Sequence, residues 1–298
     1  MSGVATLDRF SRIAPLGLRL RDVATAQIAA GQFEVSAAPP GGTAQILARN
    51  GRAVWIASRL PGLRDADLDP ASVGSVPVRS YALSVDDPLG DFLPLRLDIS
   101  LPHRGLYDWD GWSALPARPL APLCDEVGGD PCPGALPLFS APARAAPPGH
   151  AAIRGQLRRL DDDAPAAWTL IAAELDGTAQ GLGLADDEGR FAVFMPWPEW
   201  PRANLSMLSP PDASPPASAP APSWTLQLVA YSALLPPFPV PSLPEIMGQL
   251  TMPRDLFAST QSPSEPLAPQ LLQFGHPLTV RTDHTPTGPS SFLIMAAA

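Results

Sequence analysis

The chain has 298 residues, 45% of them hydrophobic and only 16% charged, with 40 prolines against 23 glycines and a formal net charge of -9. The hydrophobic share supports a packed core and excludes wholesale disorder, while the prolines exclude a mainly helical protein, because each removes a backbone donor and fixes φ. All 20 basic residues are arginine, scattered along an acidic chain; this removes lysine-based catalysis and the clustered positive charge that a nucleic-acid partner needs.

Residues 1–15 read as an N-terminal arm without the basic and apolar regions of a secretory signal. A first β-sandwich is expected over 16–101. Leu16 to Val23 and Gln32 to Ala37 alternate apolar and polar residues, the period of a half-buried strand. Asn50-Gly51, flanked by Gln45 to Leu47 and Ala53 to Ala57, is a strong hairpin signal. Ser80 to Asp86 and Leu95 to Leu101 complete about six strands, a count compatible with a sandwich.

Residues 102–150 form a proline-rich connector whose aromatics, Tyr107, Trp109 and Trp112, are expected to pack onto a neighbour rather than stand in solvent. A second β-sandwich is expected over 151–235. Its strands are Ala151 to Leu157, Ala167 to Glu174, Gly181 to Ala185, Phe191 to Met195 and Trp224 to Tyr231. Asp186-Asp187-Glu188-Gly189 makes a tight acidic turn between two of them. The Ser-, Pro- and Ala-rich stretch 209–223 reads as a mobile loop inserted in this sandwich.

Residues 236–298 carry no obvious core and read as an extended C-terminal docking arm. Asp255 to Ala258 suits one helical turn, and Pro277 to Arg281 and Ser291 to Met295 suit short strands. No apolar run is long enough to cross a bilayer, Leu228 to Leu235 being among the longest, so no membrane span is expected.

The second module resembles the carboxypeptidase regulatory-like family, which shares its sandwich with prealbumin-like (transthyretin-like) domains. The matching residues are Ile153-Arg154-Gly155-Gln156-Leu157, Ala166 to Ala173, and Gly183-Leu184-Ala185-Asp186-Asp187-Glu188-Gly189-Arg190-Phe191. In the last of these, Gly189 supplies a positive φ, the acidic residues bond local amides and Phe191 returns to the core. Arg21 to Thr25 and Gly31 to Val35 resemble the opening strands of the same fold. The resemblance implies an all-β protein of two prealbumin-like sandwiches in an accessory or assembly role, and carries no catalytic residues. A wider likeness, drawn from the two modules and the segment Leu271 to Thr282, is to accessory or baseplate proteins of bacterial contractile injection systems and phage-tail-like particles.

Chemistry-bearing motifs are sparse. Of four histidines, His103, His150, His276 and His284, none stands at a metal-ligand spacing from another ligand. Cys124 and Cys132 supply at most half a zinc site, and the clusters Asp161 to Asp163 and Asp186 to Glu188 lack the alternation of a calcium loop. No nucleophile elbow or phosphate loop is present. The expected protein is therefore not an enzyme and carries no cofactor or metal. Its expected role is a structural or adaptor subunit, made in the cytoplasm and incorporated into a particle released from the cell. The expected partners are other protein subunits or further copies of itself. Phe274, Leu278, Val280, Phe292, Leu293 and Ile294 are the candidate partner-binding residues, with Ser291 to Met295 adding a strand to a partner sheet. The alternative is a carbohydrate- or surface-binding module using Trp109, Trp112, Trp197 and Trp200, tryptophans that equally suit an inter-domain seam.

Overall fold

In the computed structural model, Leu16–Asp22 (β1), Gln32–Ala38 (β2), Ala44–Arg49 (β3), Arg52–Trp55 (β4), Arg79–Asp86 (β5) and Leu95–Leu101 (β6) are strands where the sequence alternates. Described are residues 16–38, 44–49, 51–55, 78–101, 106–107, 109, 111, 115–116, 135–199, 221–286 and 288–296. Alternation does its ordinary work here: Phe33, Val35, Tyr81, Leu83, Leu97 and Ile99 are buried, while Glu34, Asp86, Arg96 and Asp98 are exposed. Leu136–Leu138 (β7), inside the segment read as connector, pairs in parallel with β1. The seven strands form one sheet in the order β6-β5-β2-β3-β4-β1-β7.

The second half of the chain contributes His150–Arg159 (β8), Leu170–Leu175 (β9), Thr178–Leu184 (β10), Arg190–Pro196 (β11) and Ser223–Tyr231 (β12). These fall into two sheets, with β10-β9-β12 in one and β11-β8 in the other. The Asp186–Gly189 turn has the local geometry read from sequence, with Gly189 at φ +76°. It nevertheless joins two sheets, not two strands of a hairpin, since β10 pairs with β9 and β11 pairs with β8. Glycine permits the fold-over: a Cβ on Gly181 or Gly183 would come within 2.6 Å of the Phe194 or Ala192 carbonyl oxygen of β11.

The tail is built into these sheets. Pro253–Arg254 (β13) and Gln270–Gln273 (β16) both pair with β12, and Leu278–Thr279 (β17) and Leu293–Met295 (β18) both pair with β8. Leu256–Ser259 (β14) and Glu265–Pro266 (β15) extend the second of the two sheets beyond β18. The helical turn expected at Asp255 to Ala258 is thus strand β14. It passes Phe257 and Leu256 to Ile294 and Met295, a pairing that sequence-local propensity does not register. The helix lies earlier, at Leu243–Gly248 (α1), followed by a 3₁₀ turn over Gln249–Thr251.

Among the described residues the fold is nearly all β, these short helices aside. One apolar core lies under the first sheet and continues into Trp168, Leu170, Leu182 and Leu184, and into Leu243, Ile246 and Met247 of α1. A second core, with Ile153, Ile171, Phe191, Leu226 and Leu293, fills the space between the other two sheets. Leu170 and Ile171 are neighbours on one strand facing opposite cores, so β9 is buried on both sides, whereas β12 exposes Ser223, Thr225 and Gln227 on one face. Among the described residues no helix is long and apolar enough to cross a membrane.

Candidate functional site

Strand β12 is interrupted in its pairing along one side. Ser223–Leu226 pair with β16 and Ala230–Tyr231 pair with β13. Gln227, Leu228 and Val229, between those stretches, pair with Glu174, Ala173 and Ala172 of β9 on one side. On the other side, among the described residues, they have no strand partner. The registers explain the break. Continuing β16 would place Pro269 opposite Gln227, and proline has no N–H to give the ladder. Continuing β13 would place Asp255 opposite Val229, but there the chain leaves for the other sheet, where Leu256 pairs with Met295.

The break opens onto a cleft of about 430 Å³ lined by Gln227, Leu228, Val229, Arg254, Asp255 and Pro266, among others. Its size is in the ~300–1,000 Å³ range of ligand pockets. Its lining mixes an amide, a carboxylate and a guanidinium with apolar walls, which suits a peptide main chain better than a purely apolar guest. Arg254 is fixed from behind, its Nε donating to the Ser232 carbonyl at 2.9 Å. Ser232 is itself fully buried and accepts from the Thr169 hydroxyl at 3.1 Å.

A second surface lies at the start of β12. Trp197, Trp224 and Phe274 close the open end of the second core, with ring centroids 4.9 Å (Trp197–Phe274), 5.9 Å (Trp197–Trp224) and 6.4 Å (Trp224–Phe274) apart. Main-chain bonds hold them: Trp197 N–H donates to Gly149 O at 3.1 Å and Phe274 N–H to Pro222 O at 2.9 Å. Trp224 is buried and Phe274 remains 41% exposed, so the three rings form a packed aromatic cluster.

The sequence-derived candidates scatter across the fold. Val280, Leu293 and Ile294 are buried, Leu278 is half-buried, and Phe292 lies under the Arg158 guanidinium at 4.0 Å. The strand expected to join a partner's sheet, Ser291 to Met295, is corrected to β18, which pairs with this chain's own β8. Its side chains complete the intramolecular core, so of the six candidates only Phe274 presents a large apolar surface outward. Trp109 is buried in the first core and Trp197 belongs to the second, so these two form no common platform. Trp112, Trp200, Cys124, Cys132, His103, the arm 1–15 and residues 209–220 lie outside the described residues. His276 and His284 are exposed, and His150 Nδ1 is 2.9 Å from Pro148 O.

Several charged groups serve local structure. Asp186 Oδ1 accepts from the backbone of Glu188 and Arg190, and its Oδ2 from Arg190 Nε at 2.8 Å, which raises the Arg190 pKa above its ordinary value. Asp162, hydrogen-bonded by Arg159, has its pKa lowered. Burial lowers that of Arg154, which donates to Pro142 O and Arg144 O. Among the described residues no three His, Cys, Asp or Glu side chains are grouped to hold a metal ion.

The cleft escaped the sequence reading because it depends on pairings across the chain, its local mark being Pro269, which stops β16. Of the aromatic cluster, Trp197 and Phe274 are sequence-derived candidates, and Trp224, at the head of an alternating strand, is not. Compared with protein-family models, curated proteins and solved structures, the chain matches none.

Proposed function

We propose that the protein is a non-catalytic structural or adaptor subunit of a larger assembly that grips neighbouring protein subunits through strand addition. The observation that carries this is the interruption of β12 at Gln227–Val229, where a sheet edge three residues long faces a cleft of about 430 Å³. A partner's loop tip or chain end, extended over two or three residues, supplies the missing main-chain partners without any special chemistry. The carboxypeptidase regulatory-like character of Gly183 to Phe191, and the wider likeness to accessory proteins of contractile injection systems, direct the proposal to a phage-tail-like particle.

The test is to recover the tagged protein from its own cells by sedimentation and to compare amide hydrogen exchange in the particle and in the isolated chain. Co-sedimentation in a large particle, with protection gained over 227–229, is the expected result. A lone 31.3 kDa monomer refutes the assembly, and a particle in which 227–229 exchange as in the free chain refutes the cleft as the grip.

A second reading, a carbohydrate-binding module, draws on the Trp197–Trp224–Phe274 cluster. Its rings are inclined to one another by 39° to 60°, so they offer no common flat face to a sugar. Glycan binding that is lost in Trp197→Ala with the fold intact would favour this reading.

A further inference from the structure

We propose that the β12 cleft takes the amino terminus of a protein partner, its first residue pairing with Leu228 and its α-ammonium meeting the Asp255 carboxylate. The inference rests on the strand-addition reading and deepens it by naming the end of chain that enters.

Main-chain directions narrow the open edge to a single residue. Successive residues of a strand turn their N–H and C=O groups to opposite sides. At the two ends of β12, Ser232 N–H donates to Met252 O and Phe274 N–H donates to Pro222 O, so its even-numbered residues face the β13 and β16 side. Gln227 and Val229 therefore give their main-chain groups to β9, and Leu228 alone turns an N–H and a C=O toward the cleft. Among the described residues neither group has a partner there.

The same registers set the direction of a guest. Strands β13 and β16 both run antiparallel to β12. A guest that continues their direction opposite Leu228 has its amino side at Asp255, whose register position faces Val229, and its carboxyl side at Pro269. Asp255 is exposed, and among the described residues no hydrogen bond or ion pair reaches its carboxylate. An α-ammonium in this position donates to the Leu228 carbonyl and to the Asp255 carboxylate together. A carboxyl terminus would instead face Pro269, which has no N–H to offer. The opposite strand direction would bring a terminal carboxylate up to Asp255, like charge against like.

The surroundings favour a cation as well. Glu265 precedes Pro266 of the cleft wall, Glu174 stands opposite Gln227 on β9, and the whole chain carries a net charge of -9. Arg254, the cation in the lining, is anchored on the far side, its Nε donating to the carbonyl of Ser232 beyond Ala230. The gap from Leu226 to Ala230 is about 13 Å at ~3.3 Å per residue, too short for a strand to run through and long enough for a chain end.

Nuclear magnetic resonance of the isotope-labelled full chain, titrated with trialanine amide to about 10 mM, reaches affinities this weak. The peptide with a free amino end should shift the Leu228 amide. Acetylating that end removes its charge and should weaken binding about three- to tenfold. Asp255→Asn, at an exposed side chain, should abolish this preference and leave the rest of the spectrum in place. Equal binding of the free and acetylated peptides, or a preference that survives Asp255→Asn, overturns the inference. So does equally tight binding of an acetylated tripeptide amide with lysine at its centre, whose cation is a side chain. In each of these outcomes Leu228 still shifts, so strand addition at the cleft stands. A Leu228 amide that no peptide shifts also overturns the inference, and the assembly itself is then judged by sedimentation alone.

Discussion

Removing Asp22 should destabilise the protein far more than removing an ordinary surface carboxylate. The Arg144 guanidinium meets Asp22 side by side, Nη1 to Oδ1 at 2.9 Å and Nη2 to Oδ2 at 2.7 Å. Both are shielded, with side-chain exposures of 14% and 5%. Arg144 also donates to Ser140 Oγ at 2.7 Å and lies 4.3 Å above the Phe92 ring, while Asp22 accepts from Ala24 N and Thr25 Oγ1. The pair therefore ties the segment before β8 to the end of β1. Asp22→Ala leaves a shielded guanidinium without its carboxylate, a loss of about 3–5 kcal/mol. That is a large part of the ~5–15 kcal/mol a domain has. Arg144→Ala should cost less, because Ala24 and Thr25 still serve the carboxylate. The apolar double replacement Asp22→Leu with Arg144→Met should recover most of the loss, since no charge is then stranded. Urea unfolding midpoints at unchanged slope measure all three. A cost below about 1 kcal/mol for Asp22→Ala, the scale of an exposed pair, would refute the reasoning.

Gly189→Ala should cost about 2–3 kcal/mol or more, because φ is +76° and a Cβ would lie 2.4 Å from Leu157 O. Gly149→Ala, at φ +77° with nothing within 4 Å, should cost only about 1 kcal/mol, and equal thermal shifts would disprove the clash. Glu245 accepts from both Ser242 N and Ser242 Oγ at 2.7 Å, the former bond being the larger cause holding its pKa below the usual 4.5. A depressed folded-state value gives stability that is present above pH 4.5 and lost as pH falls through the folded value. The advantage of wild type over Glu245→Ala should therefore be under about 1 kcal/mol at neutral pH for so exposed a group, and should vanish in acid; an advantage that grows on acidification contradicts it. Deleting 236–298 should leave no folded second core, since it strips β13 and β16 from β12 and β17 and β18 from β8. Sharp near-ultraviolet circular dichroism in the truncated chain would show otherwise.

Where strands are long and half-buried, the sequence reveals them: Gln32 to Ala37 and Leu95 to Leu101 alternate because one face meets a core and the other meets water. The acidic turn before Phe191 is equally readable, because Asp186 bonds and the Gly189 φ are local events. What that turn connects is not local. Whether β10 folds beside β11 or over it is decided by how closely Gly181 and Gly183 let two backbones approach. Helix α1 did leave a local mark, the Ser242-x-x-Glu245 pair with proline in the first turn, a pattern of helix starts. Proline density around it favoured an extended reading instead.

The tail illustrates the limit of periodicity. Leu278–Thr279 and Leu293–Met295 lie within the segments Pro277 to Arg281 and Ser291 to Met295 expected as short strands, but Pro253–Arg254, of two residues, is shorter than the period-2 signal needs. Their partners on β8 and β12 are remote in sequence, so burial of Leu293 and Val280 is set by tertiary pairing and not by neighbours. The prolines that conceal these strands also make the site. Pro269 cannot continue the ladder past Gln270, and the chain at Asp255 leaves for the opposite sheet, so among the described residues β12 is paired along this side at both ends and unpaired in the middle. An edge left bare along its whole length invites indiscriminate pairing. An edge bare for three residues, with β16 and β13 blocking each end, admits only a short segment entering from outside, which is the selectivity an adaptor needs.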